Sequence, residues 1–439
     1  MIIYCISYGI CFIFTRLGWF LPSGLVLVLA GLWLYLKDYR ATGNLIHLRG
    51  LFCLFFIGGQ GLSCMKLSRL QREWTMTAWL CFFLAVVIFY LVYGLAEGVM
   101  GQEKSQHWMK KQARGKGSIL PWENRMELRK FEQPLFTAIM AITLLSSAAF
   151  LTEALILGYI PFFLRGVPHA YSYFHISGIH YITVSCVLVP SFYLLYFLAK
   201  DERKRGKNIL ALIAAAVSLG IPVLCVSRFQ LILAVGMAAF TAISVNRRIR
   251  ILHVVLLIVV MIPAYLVLTI ARSHDVAYLN GIFQMKSSTM PIFITQPYMY
   301  IAHNYDNFDY LVAELPQHSH GMRMLFPLWA LTGLKFLIPG LVNYPIYVNK
   351  EELTTLTLIY DAYYDFGIFG VVLFSALLGF LCCLLSRGMK RLKNPVAYVV
   401  YAQIAMYMML SFFTTWFSNP ATWFYLAVTG MVYLYVEYR

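Results

Sequence analysis

Two short stretches of the 439-residue chain alternate carboxylates with aromatic rings. The first runs from His303 to Asp309 (HNYDNFD), and the second runs from Tyr360 to Phe366 (YDAYYDF). Aromatic rings stack on the apolar faces of sugars, while carboxylates bind hydroxyl groups and can accept their protons. The mixture suits a carbohydrate groove, although tyrosine and phenylalanine also form the aromatic belt at a membrane surface.

Two arginines stand at the ends of apolar runs. Arg228 lies in a short turn, Ser227-Arg228-Phe229, and Arg272 ends the second apolar run after it. A guanidinium group keeps its charge and forms planar bidentate hydrogen bonds with phosphate oxygens. The two arginines are therefore suited to hold a diphosphate at a membrane surface, and an interfacial anchor is the alternative interpretation of Arg228.

The composition indicates which elements must position these residues. Apolar residues make up 60% of the chain and charged residues 12%, and the mean hydropathy is +0.70, which excludes a soluble domain of this length. Apolar runs of about 17 to 25 residues suit helices across a bilayer core of roughly 30 Å. We predict an all-α polytopic integral membrane protein with about twelve transmembrane helices and one large extracytoplasmic segment. The predicted spans lie near residues 2–14, 18–36, 45–64, 77–98, 134–157, 181–199, 208–226, 229–246, 251–271, 366–386, 395–416 and 421–437.

Basic residues predict the orientation, because Lys and Arg accumulate in cytoplasmic loops. They are concentrated in residues 99–133 and 200–207, and further groups at 247–250 and 387–393 fall on the same side by parity of the spans. We expect both termini in the cytoplasm and the stretch from Arg272 to Asp365 outside. Glu153, near the outer end of its span, is expected to be paired or to line a cavity.

This topology divides the chain into four consecutive parts. Residues 1–133 hold spans one to four and a basic cytoplasmic loop, and residues 134–271 hold spans five to nine. Residues 272–365 form the extracytoplasmic, periplasmic segment, and residues 366–439 hold the last three spans. Within the third part, residues 322–341 are apolar, but an extra crossing there would place the following basic loop, residues 387–393, on the outer side of the membrane. We therefore expect interfacial or re-entrant helices in that stretch.

The distribution of charged residues, cysteines and histidines argues against several classes of function. The formal charge of +16 is explained by topology and contact with anionic membrane lipid, and no nucleic-acid module or phosphate-binding glycine loop is present. The nine cysteines lie in or beside apolar runs, which is typical of packing residues. His318 and His320 are a weak metal signal. These histidines, Arg323 and Lys335 are expected to face solvent or lipid headgroups, and the alternative is that they add positive charge to the site. We predict no metal, no cofactor and no nucleic-acid partner.

Five short motifs follow one another from about residue 150 to the end. They are Gly158 to Pro161 (GYIP), Tyr171 to His180 (YSYFHISGIH), the Ser227-Arg228 turn, His303 to Asp309, and Tyr360 to Gly370 (YDAYYDFGIFG). In type and order they resemble those of the bacterial oligosaccharide repeat-unit polymerases, the Wzy-type polymerases of O-antigen and capsule.

The resemblance implies a glycosyltransferase of the bacterial cytoplasmic (inner) membrane. Its donor would be a growing chain on undecaprenyl diphosphate, and its acceptor would be one lipid-linked repeat unit that attacks through a sugar hydroxyl. A chain-length regulator protein would be a further partner. Arg228 and Arg272 would stabilise the departing diphosphate. The candidates for the base are His303, Asp306, Asp361 and Asp365, in no fixed order.

Two other functions remain open at this point. An O-antigen ligase of lipopolysaccharide would use the same donor and the same arginines but transfer the chain to a core sugar. A flippase or other transporter of lipid-linked oligosaccharide needs no base and should bury charges midway through several spans. The charges of this chain lie mostly at the ends of the predicted spans, which favours catalysis.

Overall fold

Helices form all the regular secondary structure of the described part of the chain. The computed structural model describes residues 1–100, 128–164, 170–245, 276–287, 289–389 and 393–439. Among these residues there is no β-strand, and a single isolated antiparallel bridge joins Ser68 to Met285. The all-α prediction is confirmed.

A helix covers each predicted span that falls on described residues, while the span predicted near 251–271 lies outside them. The longer helices, in chain order, are α1 (Ile2–Arg16), α2 (Phe20–Thr42), α3 (Leu48–Cys64), α4 (Met76–Val99), α5 (Glu132–Leu157), α6 (Ile179–Ala199), α7 (Arg205–Leu224), α8 (Arg228–Val245), α9 (Val276–Phe283), α10 (Ile292–Glu314), α11 (Phe326–Leu331), α12 (Tyr360–Gly388), α13 (Ala397–Met409) and α14 (Pro420–Tyr438).

Seven of the described helices are long and apolar enough to cross a membrane, namely α2, α4, α5, α6, α7, α8 and α12. Helices α1, α3 and α13 are apolar but shorter. The chain is therefore a membrane-embedded helical protein of the polytopic class, as composition predicted. The number of twelve spans, the identity of the membrane and the side of the termini stay predictions.

The described residues form two compact units, each discontinuous in sequence. The first unit contains the described parts of 1–113, 275–387 and 407–420, and the second contains those of 114–274, 388–406 and 421–439. The first unit thus holds both acid–aromatic motifs, and the second holds Arg228 and Glu153. The division into four topological parts stays a prediction.

In the first unit, polar contacts mark the two ends of α4. Near its last turn, Glu97 lies 3.4 Å from Arg49, whose guanidinium also binds Asp38 through two hydrogen bonds of 2.8 and 2.6 Å. At the other end, Thr75 caps the helix, and both its backbone N–H and its hydroxyl donate to Asp309. The motif of α10 therefore lies at the opposite end of the helices from Asp38, Arg49 and Glu97, as the parity argument requires.

Helices α2 and α3 cross where neither carries a side chain. A Cβ on Gly24 would lie 2.3 Å from the Gly61 carbonyl oxygen, so glycine is needed for the backbones to approach this closely. Helix α3 also contains a π-helical turn at Cys53–Ile57. Within it the Phe56 carbonyl accepts a hydrogen bond of 2.7 Å from the Tyr305 hydroxyl of α10, so the membrane helices anchor the motif helix directly.

In the second unit, α5 and α7 run parallel. At one end the Lys204 ammonium lies 3.0 Å from Glu132, and midway Thr143 and Ser218 share a hydrogen bond of 3.1 Å. Helix α6 packs against both, with the Phe192 side chain fully buried. Residues equally far beyond the Thr143–Ser218 contact therefore reach the same level of the unit.

The apolar stretch 322–341 is divided among short helices. Helix α11 has six residues, a length of about 9 Å at 1.5 Å per residue, against a bilayer core of roughly 30 Å. A four-residue helix and a 3₁₀ turn follow it, and the Phe336 and Leu337 side chains are exposed. No helix in this stretch is long enough to cross a membrane, and its outward apolar residues are typical of an interfacial segment.

Candidate functional site

Asp306, in the first acid–aromatic motif, is saturated with hydrogen-bond donors. It is 6% exposed, and Lys66 Nζ and Trp74 Nε1 lie 2.7 and 3.1 Å from its Oδ1. Gln71 Nε2 and the Ser63 hydroxyl donate to Oδ2 at 2.9 and 3.2 Å. A carboxylate offers about four acceptor positions, so these four donors leave Asp306 little capacity for a substrate hydroxyl. The geometry makes it a clamp between α10 and the loop that joins α3 to α4.

His303, one turn earlier on α10, has the opposite character. It is 1% exposed, and neither ring nitrogen has a hydrogen-bond partner among the described residues. Burial lowers its pKa, although the Asp306 charge acts in the other direction. Burial thus favours the neutral imidazole, which suits a base, but it also leaves no open path for a substrate hydroxyl.

Asp309, on the next turn, also accepts hydrogen bonds from a residue of its own unit, Thr75. Burial raises the pKa of its carboxyl, and the two hydrogen bonds from Thr75 oppose that rise. Both bonds are short, at 2.7 and 2.8 Å. Asp309 thus fixes the start of α4, where backbone N–H groups have no partner within the helix.

The second motif breaks helix α12. Phe366 and Gly367 have non-helical dihedral angles, with φ of +61° and ψ of −145° at Gly367, a conformation open essentially to glycine alone. A Cβ there would lie 3.0 Å from the His318 ring, and one on Gly370 would lie 2.0 Å from the Ala362 carbonyl oxygen. The two glycines of the sequence DFGIFG are therefore required by the break and by the turn that packs against it.

Asp365 holds that turn in place. The backbone N–H groups of Arg323 and Met324 donate to its two carboxylate oxygens at 3.2 and 2.8 Å, and the Ser319 hydroxyl donates to the first of them. The side chain is fully buried. Asp365 thus satisfies donors of a tight turn, a structural task that leaves it shielded from solvent.

Asp361, one turn earlier, pairs with Arg323. The Arg323 Nε lies 2.6 Å from Asp361 Oδ1, and its Nη1 donates to the Tyr344 carbonyl at 3.1 Å. Burial acts against the charge of this guanidinium, but Asp361 outweighs it and raises the pKa of Arg323. Its side chain is 15% exposed, so the expectation that Arg323 faces solvent or headgroups is wrong.

The two acid–aromatic motifs meet within the first unit. The Phe308 and Tyr363 rings are 5.4 Å apart in an edge-on arrangement, and the ring of His318 lies 5.8 Å from Tyr363. The Asn307 amide donates to the Leu353 carbonyl at 2.7 Å. Motifs more than fifty residues apart in sequence therefore form one packed cluster, whose carboxylates point at protein donors.

In the second unit, Arg228 begins α8 directly after a tight reversal. Val226 has a positive φ of 53°, and the chain turns back there, as the lengths of the two apolar runs predicted. The Arg228 residue is 7% exposed. Arg272, the other predicted phosphate ligand, lies outside the described residues.

Glu153 joins two further motifs of the second unit. It is fully buried on α5 and accepts hydrogen bonds from the Ile176 backbone N–H at 2.9 Å and from the Thr183 hydroxyl at 2.7 Å. The Tyr159 ring meets the Phe174 ring at 5.6 Å. The GYIP and YSYFHISGIH motifs are thereby packed together. Of the two expectations for Glu153, pairing or lining a cavity, the structure shows engagement by protein groups.

Sequence reasoning overlooked Lys66. It is 3% exposed, and its ammonium lies 4.8 Å from the centre of the Trp74 ring as well as against Asp306. A lysine directly after an apolar run looks like an ordinary boundary residue, and its partner is 240 positions away. The signal that could have pointed to it is Trp74, because a cation near an apolar boundary is stabilised by an indole face.

Comparison of the chain with protein-family models, with curated proteins and with solved structures found no match.

Proposed function

We propose that this chain is a lipid-linked oligosaccharide glycosyltransferase of the bacterial cytoplasmic membrane. It joins undecaprenyl-diphosphate-linked repeat units into O-antigen or capsular polysaccharide on the outer face of that membrane. The acceptor hydroxyl attacks the anomeric carbon of the donor sugar, and the lipid diphosphate departs. Arg228 and Arg272 bind the departing group, whose negative charge grows as the bond to carbon breaks.

The observation that carries this proposal is the position of charge along the seven candidate spans. Every Asp, Glu, Lys and Arg in these helices lies near one helix end, and their middles hold none. A transporter that moves a charged diphosphate across the bilayer needs polar groups at middle depth. The residues concerned are Lys37, Asp38, Arg40, Glu97, Glu132, Glu153, Arg205, Lys207, Arg228, Asp361, Asp365 and Arg387.

A second observation, which concerns substrate binding, supports the proposal. Four of the five motifs that carry the resemblance are packed in pairs, one pair within each unit, by ring contacts and buried hydrogen bonds. Such packing fixes side chains to the small tolerance that group transfer needs. Exposed rings beside these motifs, such as Tyr173 and Phe163, provide flat apolar surfaces that suit sugar rings.

The test compares surface polysaccharide from cells that lack this gene, complemented with wild type, Arg228→Ala, Arg228→Lys or the control Arg203→Ala. Arg203 is exposed in a loop of the same unit. Wild type and the control should restore a ladder of chain lengths. Arg228→Ala should reduce polymer at least about 100-fold, the usual effect of removing a group that stabilises developing negative charge. Arg228→Lys keeps the charge but loses the bidentate geometry and should fall between them.

Other band patterns identify the alternatives. A deletion strain that caps its core with a single repeat unit has lost a polymerase. A strain with no repeat unit on the core and lipid-linked polymer outside has lost a ligase, and accumulation inside the cell indicates a flippase. Loss of folded Arg228→Ala protein from purified membranes would instead support the interfacial-anchor interpretation.

A further inference from the structure

A carboxylate and an imidazole form a pair near one end of α5, the end that the predicted topology places outside. His180 Nδ1 lies 3.1 and 3.2 Å from the two carboxylate oxygens of Glu153. Glu153 also accepts hydrogen bonds from Ile176 and Thr183, which lie before and after His180 in the chain. The carboxylate is fully buried, whereas the His180 side chain is 26% exposed. The pair therefore has a fixed interior member and an accessible outer member.

The chemistry of the contact assigns the proton on the ring. An ionised carboxylate only accepts hydrogen bonds, so the nitrogen that faces it, Nδ1, carries the hydrogen in the neutral imidazole. The lone pair is then on Nε2, on the other side of the ring, and no described residue binds it. A buried carboxylate that orients a histidine and stabilises its protonated form is the arrangement used for general bases in hydrolases and transferases.

This histidine differs from the four base candidates predicted from sequence. Asp306, Asp361 and Asp365 are buried and engaged by protein donors, and His303 is buried without access. His180 alone among these five combines an oriented ring with partial exposure. The His180 side chain is therefore the accessible member of this set.

Arg228 lies at the same level of the second unit. Glu153 lies ten residues beyond Thr143 on α5, and Arg228 follows the turn after α7, which extends six residues beyond Ser218 to Leu224. Cys225, at the end of α7, lies within electrostatic range of the Glu153 carboxylate. The predicted phosphate ligand and the carboxylate–histidine pair thus share one end of one unit.

We infer that His180 is the general base of the transfer reaction and that Glu153 is its positioning residue; this inference rests on the proposed function. His180 Nε2 takes the proton from the acceptor sugar hydroxyl while the hydroxyl oxygen forms a bond to the anomeric carbon of the donor. The bond from that carbon to the diphosphate oxygen breaks, and its electron pair leaves with the diphosphate. The imidazolium then returns its proton to water. Atoms and charges balance without a metal or cofactor.

The experiment uses the purified full-length protein in lipid nanodiscs. Its substrate is the lipid-linked single repeat unit extracted from the deletion strain, and initial rates of chain elongation are measured between about pH 5 and pH 9. The variants are His180→Gln, Glu153→Gln and the control His175→Gln, which changes an exposed neighbouring ring 6.2 Å from His180. The titratable groups near the pair are His175, whose ring lies 6.2 Å from that of His180, and Cys225, which is within electrostatic range of Glu153.

His180→Gln should lower the elongation rate at least about 100-fold with little change in KM, because general-base catalysis contributes roughly 10²- to 10⁴-fold. The rate of wild type and of His175→Gln should fall as the pH is lowered, because a protonated base cannot accept the proton of the hydroxyl. In Glu153→Gln the midpoint of this fall in rate should move to lower pH, since the imidazolium loses its neighbouring negative charge. A structural role alone would not move the midpoint.

Three results would overturn the inference. They are a wild-type rate in His180→Gln, an acid limb that is missing from the wild-type profile, and a midpoint unchanged in a folded Glu153→Gln protein. Should His180→Gln fail to fold, the wild-type and Glu153→Gln profiles decide. Elongation by wild type and His180→Gln alike removes only the role of His180. No elongation by wild type, together with a ligase or flippase pattern in cells, removes the proposed function as well.

Discussion

Among single residues, the Lys66–Asp306 pair has the largest expected effect on stability. Both side chains are almost fully buried, and removal of one partner leaves an uncompensated charge, which costs about 3–5 kcal/mol. Asp306→Asn should therefore lower the free energy of unfolding by about that amount. The measurement is thermal or denaturant unfolding in detergent, followed by tryptophan fluorescence.

A double variant provides the control for this pair. Lys66→Met removes the charge that Asp306→Asn leaves unpaired, so Lys66→Met/Asp306→Asn should be less destabilised than the sum of the single variants. The clamp interpretation of Asp306 would be contradicted by an Asp306→Asn protein that keeps wild-type stability yet makes no polymer. That result would return Asp306 to the catalytic candidates.

His303 predicts how stability depends on pH. Burial lowers its pKa in the folded state, so below its ordinary value of about 6.5 the unfolded chain takes up a proton that the folded chain does not. The contribution is therefore fully present above that value and is lost as the pH falls from it through the lower folded pKa. Unfolding of wild type should become easier across this window, and His303→Gln should flatten that part of the curve. An identical acid limb in both proteins would show that the charge change lies elsewhere.

At the scale of elements, the break in α12 depends on one glycine. Gly367→Ala forces a side chain into a conformation that costs about 1–3 kcal/mol and places its Cβ against His318. The turn held by Asp365 should then loosen, with a lower melting temperature and faster proteolysis within residues 318–324. Gly94→Ala is the matched control, because Gly94 lies in α4 with no atom within 4 Å of its added Cβ. Equal effects of the two substitutions would argue against a strained break.

Sequence reasoning located helices well because a membrane helix is a local property. Hydropathy along some twenty residues decides whether a segment can bury itself in lipid, so a helix covers every predicted span that falls on described residues. The break at Gly367 was not predicted, because DFGIFG inside an apolar run also reads as ordinary helix packing. The decisive evidence is the turn near His318, which lies almost fifty residues earlier in the sequence.

The candidate site was less predictable, because residue type does not reveal the partner. Asp361 and Asp365 were chosen for their alternation with rings, which predicted a carbohydrate groove. In the structure they lie in a packed cluster, and their donors come from the turn near Arg323. Glu153 was expected to be paired, yet nothing local named His180, 27 positions away. Sequence patterns within a segment thus indicated where polar residues cluster. Which of their nitrogen and oxygen atoms remain accessible depends on tertiary contacts, which a local pattern does not show.

For the molecule as a whole, the opposed ends of the first unit allow a test of orientation. Arg40 lies near Asp38 at one end of the helices, and Glu73 lies near Thr75 at the other. Both are exposed, and the Arg16–Glu73 ion pair is a surface pair of small energetic weight. We expect a membrane-impermeant maleimide to label Glu73→Cys on intact spheroplasts and to label Arg40→Cys only after the membrane is opened. Eight of the nine native cysteines are buried, so the background should be low.

The outcome of this labelling bears on the proposed reaction as well as on topology. Lipid-linked repeat units are elongated outside the cytoplasmic membrane in the proposed function, so the end that carries Thr75 and the motif of α10 must face outward. Labelling of Glu73→Cys in intact spheroplasts would satisfy that requirement. Labelling of Arg40→Cys instead would place the basic loops outside, against the distribution that Lys and Arg usually follow. The acid–aromatic motifs would then face the cytoplasm, where a nucleotide-sugar donor would have to replace the lipid-linked donor.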